Sequence, residues 1–588
     1  MRRNALLPLL ILLAALTGAV ATGQAAASGL EDRERDAVVL TGDSIPGLAG
    51  IAPDSLVAFR HAGSGWRQIP VQVDERHDLN LRTLYTSSPP GGQDAVWTNA
   101  YSDPGTLSGA DPNPMIDADD EIALMAVDAG PKAPASYGSV PDGMESDRAT
   151  EVRVGDPLGG AGFVYLFEAK DPGDQTAGQD YVDYDFNLLA GDYLSNYDFA
   201  NGPNPEASSV ETDYYSTGHS DRWIDDELRL RTAGSTGVDI IDREKAQFGP
   251  GICGRSTDTF SNGEGSFIAN RDGPVRAIRS YIGANSGPYT QRESVFYERH
   301  QETRTFLRVH SVRGIMQFTD YSPEATGMTY RNASNPGGVT IDGQPDSPVP
   351  GLPAGTLDGR PFWEQVSGPQ GSLDVITRLE TDIEGLGVTS YYLDDATPEA
   401  AGEVQCTGDS AAYGTSGSWI NTGIANTDPR RDVFGTLSVR KSVFYEAPEA
   451  SVARAEDRRS GVEKPLVAVA SPLGRPVGRA RLVAKLKKSP IDVRSGRRAG
   501  IRVKIRNAGQ SRSGRIKVCA RVKGRGLRLA GKRRCRRASG LVAGKRTALQ
   551  FRIKARRNAK KGRRTKAILT VREGGRRMAT LKPRIRLR

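Results

Sequence analysis

Between Ser471 and Arg588 the chain carries 42 lysines and arginines against two acids, Asp492 and Glu573, a net +40. The rest of the 588 residues carries 37 bases and 68 acids, a net −31, so the overall +9 conceals two bodies of opposite sign. Inside the basic stretch the charges alternate with apolar residues, as in Ile501-Arg-Val-Lys-Ile-Arg506 and Ile516-Lys-Val-Cys-Ala520. A period of two sends apolar side chains to one face and basic ones to the other, the pattern of a half-buried strand. About seven such runs fall in roughly a hundred residues, which predicts a two-sheet, immunoglobulin-like sandwich over 479–588.

The acidic body reads as β-structure too. Its turns are supplied by the chain's 67 Gly and 35 Pro and by many Asp, Asn, Ser and Thr. Strand-like runs occur at 37–40, 56–59 and 122–127, and Ile69, Val71 and Val73 alternate within Trp66-Arg-Gln-Ile-Pro-Val-Gln-Val-Asp-Glu-Arg76. We read 29–141 as a small β-domain and 150–446 as a large antiparallel sandwich. No stretch holds a sustained 3.6-residue apolar repeat, so helices should be few. In the large domain, 294–300 and 303–310 form an expected hairpin around Gln301-Glu302, with 275–282 beside it. The Pro-, Ala- and Arg-rich stretch 447–478 reads as a linker. The fold class expected is all-β and multidomain.

Two resemblances add to this. The runs Ile501-Arg-Val-Lys-Ile-Arg-Asn-Ala-Gly509 and Ile516-Lys-Val-Cys-Ala520 resemble the CARDB-like adhesion modules of bacterial surface proteins. That likeness covers the last fifth of the chain and implies an adhesive or spacer module. Gln72-Val-Asp-Glu-Arg76 with Asp117-Ala-Asp-Asp-Glu-Ile122 resembles an uncharacterised family of exported bacterial proteins, which implies no activity.

Arg2 and Arg3, an apolar run over 5–16, and Ala-x-Ala matches at Ala19–Ala21 and Ala25–Ala27 make 1–27 an expected secretory signal peptide. The apolar run is short for a span of about 20 residues, and no later stretch is suited to cross a bilayer. An extracellular or envelope location permits disulfides. Cys519 and Cys535 are close enough to bridge within the last domain, which leaves Cys253 and Cys406 to bridge across the large one. No CxxC or paired Cys/His spacing supports zinc.

Six groups of residues are candidates for chemistry. Asp111, Asn113, Asp117, Asp119, Asp120 and Glu121 put six oxygen-bearing side chains into eleven positions, a composition that suits Ca²⁺ although no EF-hand pattern is met. His300 and His310, with Tyr297, Arg299 and Arg308, could serve a polysaccharide lyase, where His or Tyr takes a proton beside a uronate and Arg offsets the charge. His219 beside Asp221 and Trp223 is a thinner case of the same kind. A glycoside hydrolase needs two facing carboxylates, and Asp213, Asp225, Asp226, Glu227, Asp394 and Asp395 select no pair. Trp223, Trp363, Trp419 and Tyr214, Tyr215, Tyr391 and Tyr392 could stack on sugars. Gly42-Asp-Ser-Ile-Pro46 resembles the nucleophile block of GDSL-type esterases. Its only Asp-x-x-His, Asp74–His77, comes far too early, so a polar turn is expected there.

The expected function is that of an exported surface protein that binds glycan or envelope polymer and is attached by its cationic module. The alternative is a secreted carbohydrate-active enzyme, a lyase or hydrolase. Nucleic acid is not the expected partner of the basic module, because export argues against it and Phe551 is its single aromatic residue. An anionic envelope polymer or polysaccharide is.

Overall fold

In the computed structural model the period-two runs become strands: among the described residues 57% are strand and 7% helix, which makes this an all-β multidomain protein. The structure describes residues 30, 33–63, 65–84, 95–135, 139–175, 177–190, 205–248, 257, 266–283, 289–309, 314–347, 350, 355–356, 360–383, 387–397, 411–421, 435–474, 481–509, 513–523, 526–531, 533–542, 544–560 and 564–588. The expected signal peptide, Cys253, Cys406 and His310 lie outside them.

The first body is a pair of sheets. One has the strands Ala37–Thr41, Glu121–Met125 and Gln72–Asp74 in that order; the other runs Val467–Pro472, Met144–Gly155, Ala161–Ala169, Leu56–Ala62, Gly65–Ile69. Leu40, Ile122, Leu124, Val152, Val154, Val164 and Leu166 fill the space between them, each no more than 3% exposed. Two expectations are corrected here. The first body does not end at 141, because 144–169 supply two of its central strands. Nor is 447–478 a linker: Val452–Glu463 is a helix, and Val467–Pro472 returns to pair antiparallel with Met144–Gly155. Helix pairs Glu456–Arg459 and Arg459–Glu463 support the one. Val467 and Val469 alternate along the other.

The large body is built on a nine-stranded antiparallel sheet in which Thr290–Tyr297, His300–Val309, Gly435–Glu446 and Gly371–Thr381 are consecutive neighbours. A five-stranded sheet that includes Ile241–Phe248, Gly314–Tyr321 and Ala412–Asn421 faces it, and a four-stranded sheet contains Tyr215–Asp221 and Ile224–Leu230. The expected hairpin forms with a different turn. Its corner is Glu298-Arg299, and Gln301 and Glu302 are paired strand residues opposite Phe296 and Val295. The corner is held by Glu298, whose buried carboxylate takes the Arg35 guanidinium at 2.6 Å. His300 therefore opens the second strand instead of closing the first.

The last body is a sandwich. One sheet orders Leu482–Leu486, Arg498–Asn507, Arg546–Ala555, Leu527–Leu529; the other orders Ile491–Val493, Arg584–Leu587, Arg564–Glu573, Ile516–Lys523, Cys535–Ala538. Ile501, Val503, Ile505, Val518, Leu569 and Val571 lie wholly buried between them. Cys519 and Cys535 are directly opposite in register and joined by a disulfide.

Candidate functional site

The hairpin corner brings three parts of the chain around one cleft of about 680 Å³. Leu30, Arg33, Asp36, Ala37 and Val39 form one wall, the helix Val452–Glu463 another, and Tyr297, His300, Glu302 and Phe444 the floor. The floor is a stack of rings. His300 lies 4.5 Å from Tyr297 at 17° and 5.1 Å from Phe444 at 18°, centroid to centroid. Register explains the stack, since His300 and Phe444 are direct cross-strand partners. The His300 Nδ1 is buried with no hydrogen-bond partner among the described residues. Its Nε2 stands 3.7 Å from the half-exposed Glu302 carboxylate.

Charged residues in the walls are mostly occupied with each other. The Arg33 guanidinium donates to Asp36 at 2.7 Å and to the Lys464 carbonyl at 2.7 Å, tying the first strand to the end of the helix. The Arg458 Nε donates to Glu446 at 2.7 Å while its guanidinium lies 4.9 Å over the Phe444 ring. The Arg458 pair is buried and the Arg33 contacts are partly exposed, and their work is to hold the walls together. At the mouth the character changes: Arg454 and Asp457 are half-exposed and exposed, and Val39 and Leu158 are 39% and 52% exposed. Apolar surface beside an exposed carboxylate and a half-exposed guanidinium, the latter 3.9 Å from Glu446, suits a ligand with both C–H faces and hydroxyls.

Of the residues expected to do chemistry together, the fold brings His300 and Tyr297 into the cleft. Tyr297 is turned inward, its hydroxyl 3.4 Å from the buried Arg276, and burial pushes its phenol well above the ordinary range. Arg299 is drawn away from the floor onto Glu446 and donates 3.3 Å to the Tyr445 carbonyl. Arg308 lies eight positions along the second strand, toward its far end, so it does not join the corner. Sequence reasoning missed both walls. Arg33, Asp36, Arg454 and Arg458 lie more than 140 residues from His300, and the local signal was helix pairing read as linker composition.

The acidic run is divided rather than gathered. Asp120 is fully buried and accepts the backbone N–H of Arg76 at 2.9 Å and of Asp117 at 2.8 Å. Glu121 turns to Arg76 at 2.6 Å and Arg276 at 2.7 Å, with the Tyr101 hydroxyl donating at 2.8 Å. Those arginines hold its carboxyl below the usual range against burial, which pushes it up. Asp117 takes the Asn113 amide at 2.6 Å, and Asp111 caps the Asn113 N–H at 2.7 Å. Asp119 takes the Asn99 amide at 2.5 Å. Among the described residues no three His, Cys, Asp or Glu side chains converge as a metal would require.

Elsewhere, His219 pairs with Asp225 at 2.6 Å, not with Asp221, and both are buried. Burial pushes the Asp225 carboxyl up, but His219, Arg279 and Arg292 outweigh it and hold the group well below the carboxylate range. Asp394 is an acceptor for three backbone N–H groups, of Asp342, Gly343 and Gly414. Trp223, Trp363, Tyr215, Tyr391 and Tyr392 are core residues, each at most 8% exposed, which removes them as sugar platforms; among the described residues Trp97 is exposed, at 66%. The Gly42–Ser44 block is a single 3₁₀ turn, its serine donating 2.6 Å to the Thr41 carbonyl.

No family model matches the sequence, and no curated protein matches it. Among solved structures, the chain is similar at 12% identity and a TM-score of 0.13 to a β-glucosidase from Listeria innocua in complex with glucose, over 18% of this chain and 16% of that one. It is similar at 8% identity and a TM-score of 0.33 to an α-mannosidase from Enterococcus faecalis V583, over 81% of this chain and 54% of that one. An adhesin N-terminal domain from Streptococcus gordonii aligns at 9% identity and a TM-score of 0.12, over 70% and 91%. The chain thus spans about half or less of the first two proteins. At these scores the likenesses carry no functional argument. Among the described residues no helix is long and apolar enough to cross a membrane.

Proposed function

We propose that this is an exported surface protein that holds a glycan in the His300 cleft and is attached through its cationic sandwich to an anionic envelope polymer. The observation that carries the reading is the cleft itself: a 680 Å³ space with stacked rings for a floor, apolar Val39 and Leu158 at the mouth, and Glu302, Arg454 and Asp457 beside them. Sugars offer C–H faces to rings and hydroxyls to carboxylates and guanidinium groups, so this lining suits them. A binding role fits better than a catalytic one. A lyase would need a second group at the floor to meet developing charge, and Arg299 is committed to Glu446 while Tyr297 is turned to Arg276.

The test is retention of the full chain on neutral and acidic polysaccharides, with ultraviolet absorbance for unsaturated uronate and a reducing-end assay on each incubation. Binding that falls at least tenfold in Glu302→Gln/Arg454→Gln, with no new chemistry, supports the reading. Unsaturated uronate or new reducing ends, lost in His300→Ala, would replace it with the enzyme reading, for which the unpartnered His300 Nδ1 is the favouring observation.

A further inference from the structure

The cleft wall nearest the start of the chain is pinned in place. Leu30 lines the cleft, is 1% exposed, and packs so close to Gly162 that a Cβ there would meet its Cδ1 at 3.4 Å. Its carbonyl accepts the Arg33 N–H at 2.9 Å, and the Arg33 guanidinium holds Asp36 on one side and the Lys464 carbonyl on the other. Whatever precedes Leu30 in the chain therefore departs from the cleft wall. Of the two Ala-x-Ala matches, the one at Ala25–Ala27 puts the cut between Ala27 and Ser28, two residues ahead of Leu30. Two residues span about 7 Å at most, so the new chain end is held at the cleft.

The cleft is also one cation short. His300 apart, its charged lining is four carboxylates, Asp36, Asp156, Glu302 and Asp457, against three guanidinium groups, Arg33, Arg454 and Arg458. Arg33 serves Asp36 and Asp156, while Arg454 and Arg458 turn to Glu446, outside the lining. Among the described residues Glu302 meets only His300, at 3.7 Å, and the exposed Asp457 has no ion pair.

We infer that the mature N-terminus is itself a group of this site: the α-ammonium of Ser28, freed by the cut after Ala27, enters the cleft among these carboxylates and donates to the bound glycan. The inference rests on the binding reading above and adds to it both a group and a condition. In the signal-peptidase reaction water breaks the Ala27–Ser28 amide; the carboxylate departs with Ala27 and the amine stays on Ser28, largely protonated at neutral pH. In the uncut chain the same nitrogen is a neutral amide with 27 residues attached to it, so the site is complete only after export. An α-ammonium offers three donors, as lysine does, without a long side chain to order.

The experiment compares three full-length mature chains: one beginning at Ser28, the same chain acetylated at its N-terminus, and one extended by residues 22–27. The exported protein is first sequenced from its N-terminus, where Ser28 is expected. The α-amine of the Ser28 chain is then titrated by NMR after ¹³C reductive methylation, with no glycan present. Neighbouring carboxylates favour the charged form, so it should titrate about half a unit or more above the ordinary α-amino range. Glu302→Gln/Asp457→Asn, both exposed positions, should return it toward that range. Retention on the best-bound polysaccharide should fall about tenfold in the acetylated and extended chains. An exported chain that begins at Thr22 would overturn the inference, as would an α-amine that titrates in the ordinary range. A shifted amine with equal retention of all three chains would overturn its role in holding the glycan. A shifted amine with no retention of any chain would sink the glycan reading and leave the N-terminus placed in the cleft.

Discussion

The body spanning 33–474 and the sandwich spanning 481–588 are both built mainly from antiparallel strands, yet they treat arginine in opposite ways. In the body, Arg276 and Arg279 are at most 2% exposed, and each is answered: Arg279 forks onto Glu206 at 2.9 and 2.5 Å, Arg276 onto Asp74 and Glu121. In the sandwich, Lys504 and Arg506 stand in solvent with Lys485 and Arg546 directly opposite them. A buried charge without its partner is too costly to keep, so the body had to acquire acids wherever it buried bases. An exposed charge in water carries no such demand, and the sandwich could collect bases as long as each strand kept its apolar face. The difference teaches that the body's buried charges serve its own fold, while the opposed cations Lys485, Lys504, Arg506 and Arg546 of the sandwich meet no acid among the described residues.

The largest effect should come from breaking a pair in the body. Arg279→Met leaves the Glu206 carboxylate buried and unanswered, and should cost about 3–5 kcal/mol in urea unfolding. Replacing both residues, Arg279→Met with Glu206→Met, should return most of that. If the single change costs no more than Arg502→Met, the buried pair is not what distinguishes the body. Next comes the sandwich's own staple. Cys519→Ser with Cys535→Ser opens a loop of sequence separation 16 and should cost about 3 kcal/mol, read as an earlier thermal transition of that domain alone.

A pH effect should be confined to the body. Burial pushes the Glu364 carboxyl up to about 7, although the Tyr330 hydroxyl donates to it at 2.6 Å and pulls it down. The folded chain therefore holds this proton to a higher pH than the unfolded chain. Its contribution is full below about pH 4.5 and is lost as pH rises to about 7, on the order of 3 kcal/mol. Glu364→Gln, which keeps a neutral hydrogen-bonding group, should flatten that fall in stability measured from pH 4.5 to 8. The smallest effect belongs to the sandwich surface. Lys504→Glu converts the rung with Lys485 from repulsive to attractive and should stabilise by ~0.5 kcal/mol at low salt, with the gain vanishing at high salt.

The sequence showed these regions unequally. Alternation in Ile501-Arg-Val-Lys-Ile-Arg506 was legible because a strand with one wet face must repeat every two residues, and the opposed cysteines followed. The strands of the body were legible as runs but not their order. Pairing of Val467–Pro472 with Met144–Gly155 joins segments more than 300 residues apart, and no local pattern encodes that. For the candidate site, the residues of the hairpin could be found, since His300 and Tyr297 flank one turn. The position of that turn could not, because it depends on Arg35 reaching Glu298 from far up the chain. The cleft walls were hidden for the same reason, and the choice between core and sugar platform for the strand aromatics stayed open because a period of two does not say which face is wet.

The most direct test of the comparison is scanning calorimetry of the full chain at low salt, with and without poly(glycerol phosphate). Two transitions are expected, and the polymer should raise that of the sandwich while leaving that of the body in place, because the excess of base lies in the sandwich alone. A polymer that leaves the sandwich transition unmoved, or that shifts the body's instead, would contradict the claim that those charges await an external anion.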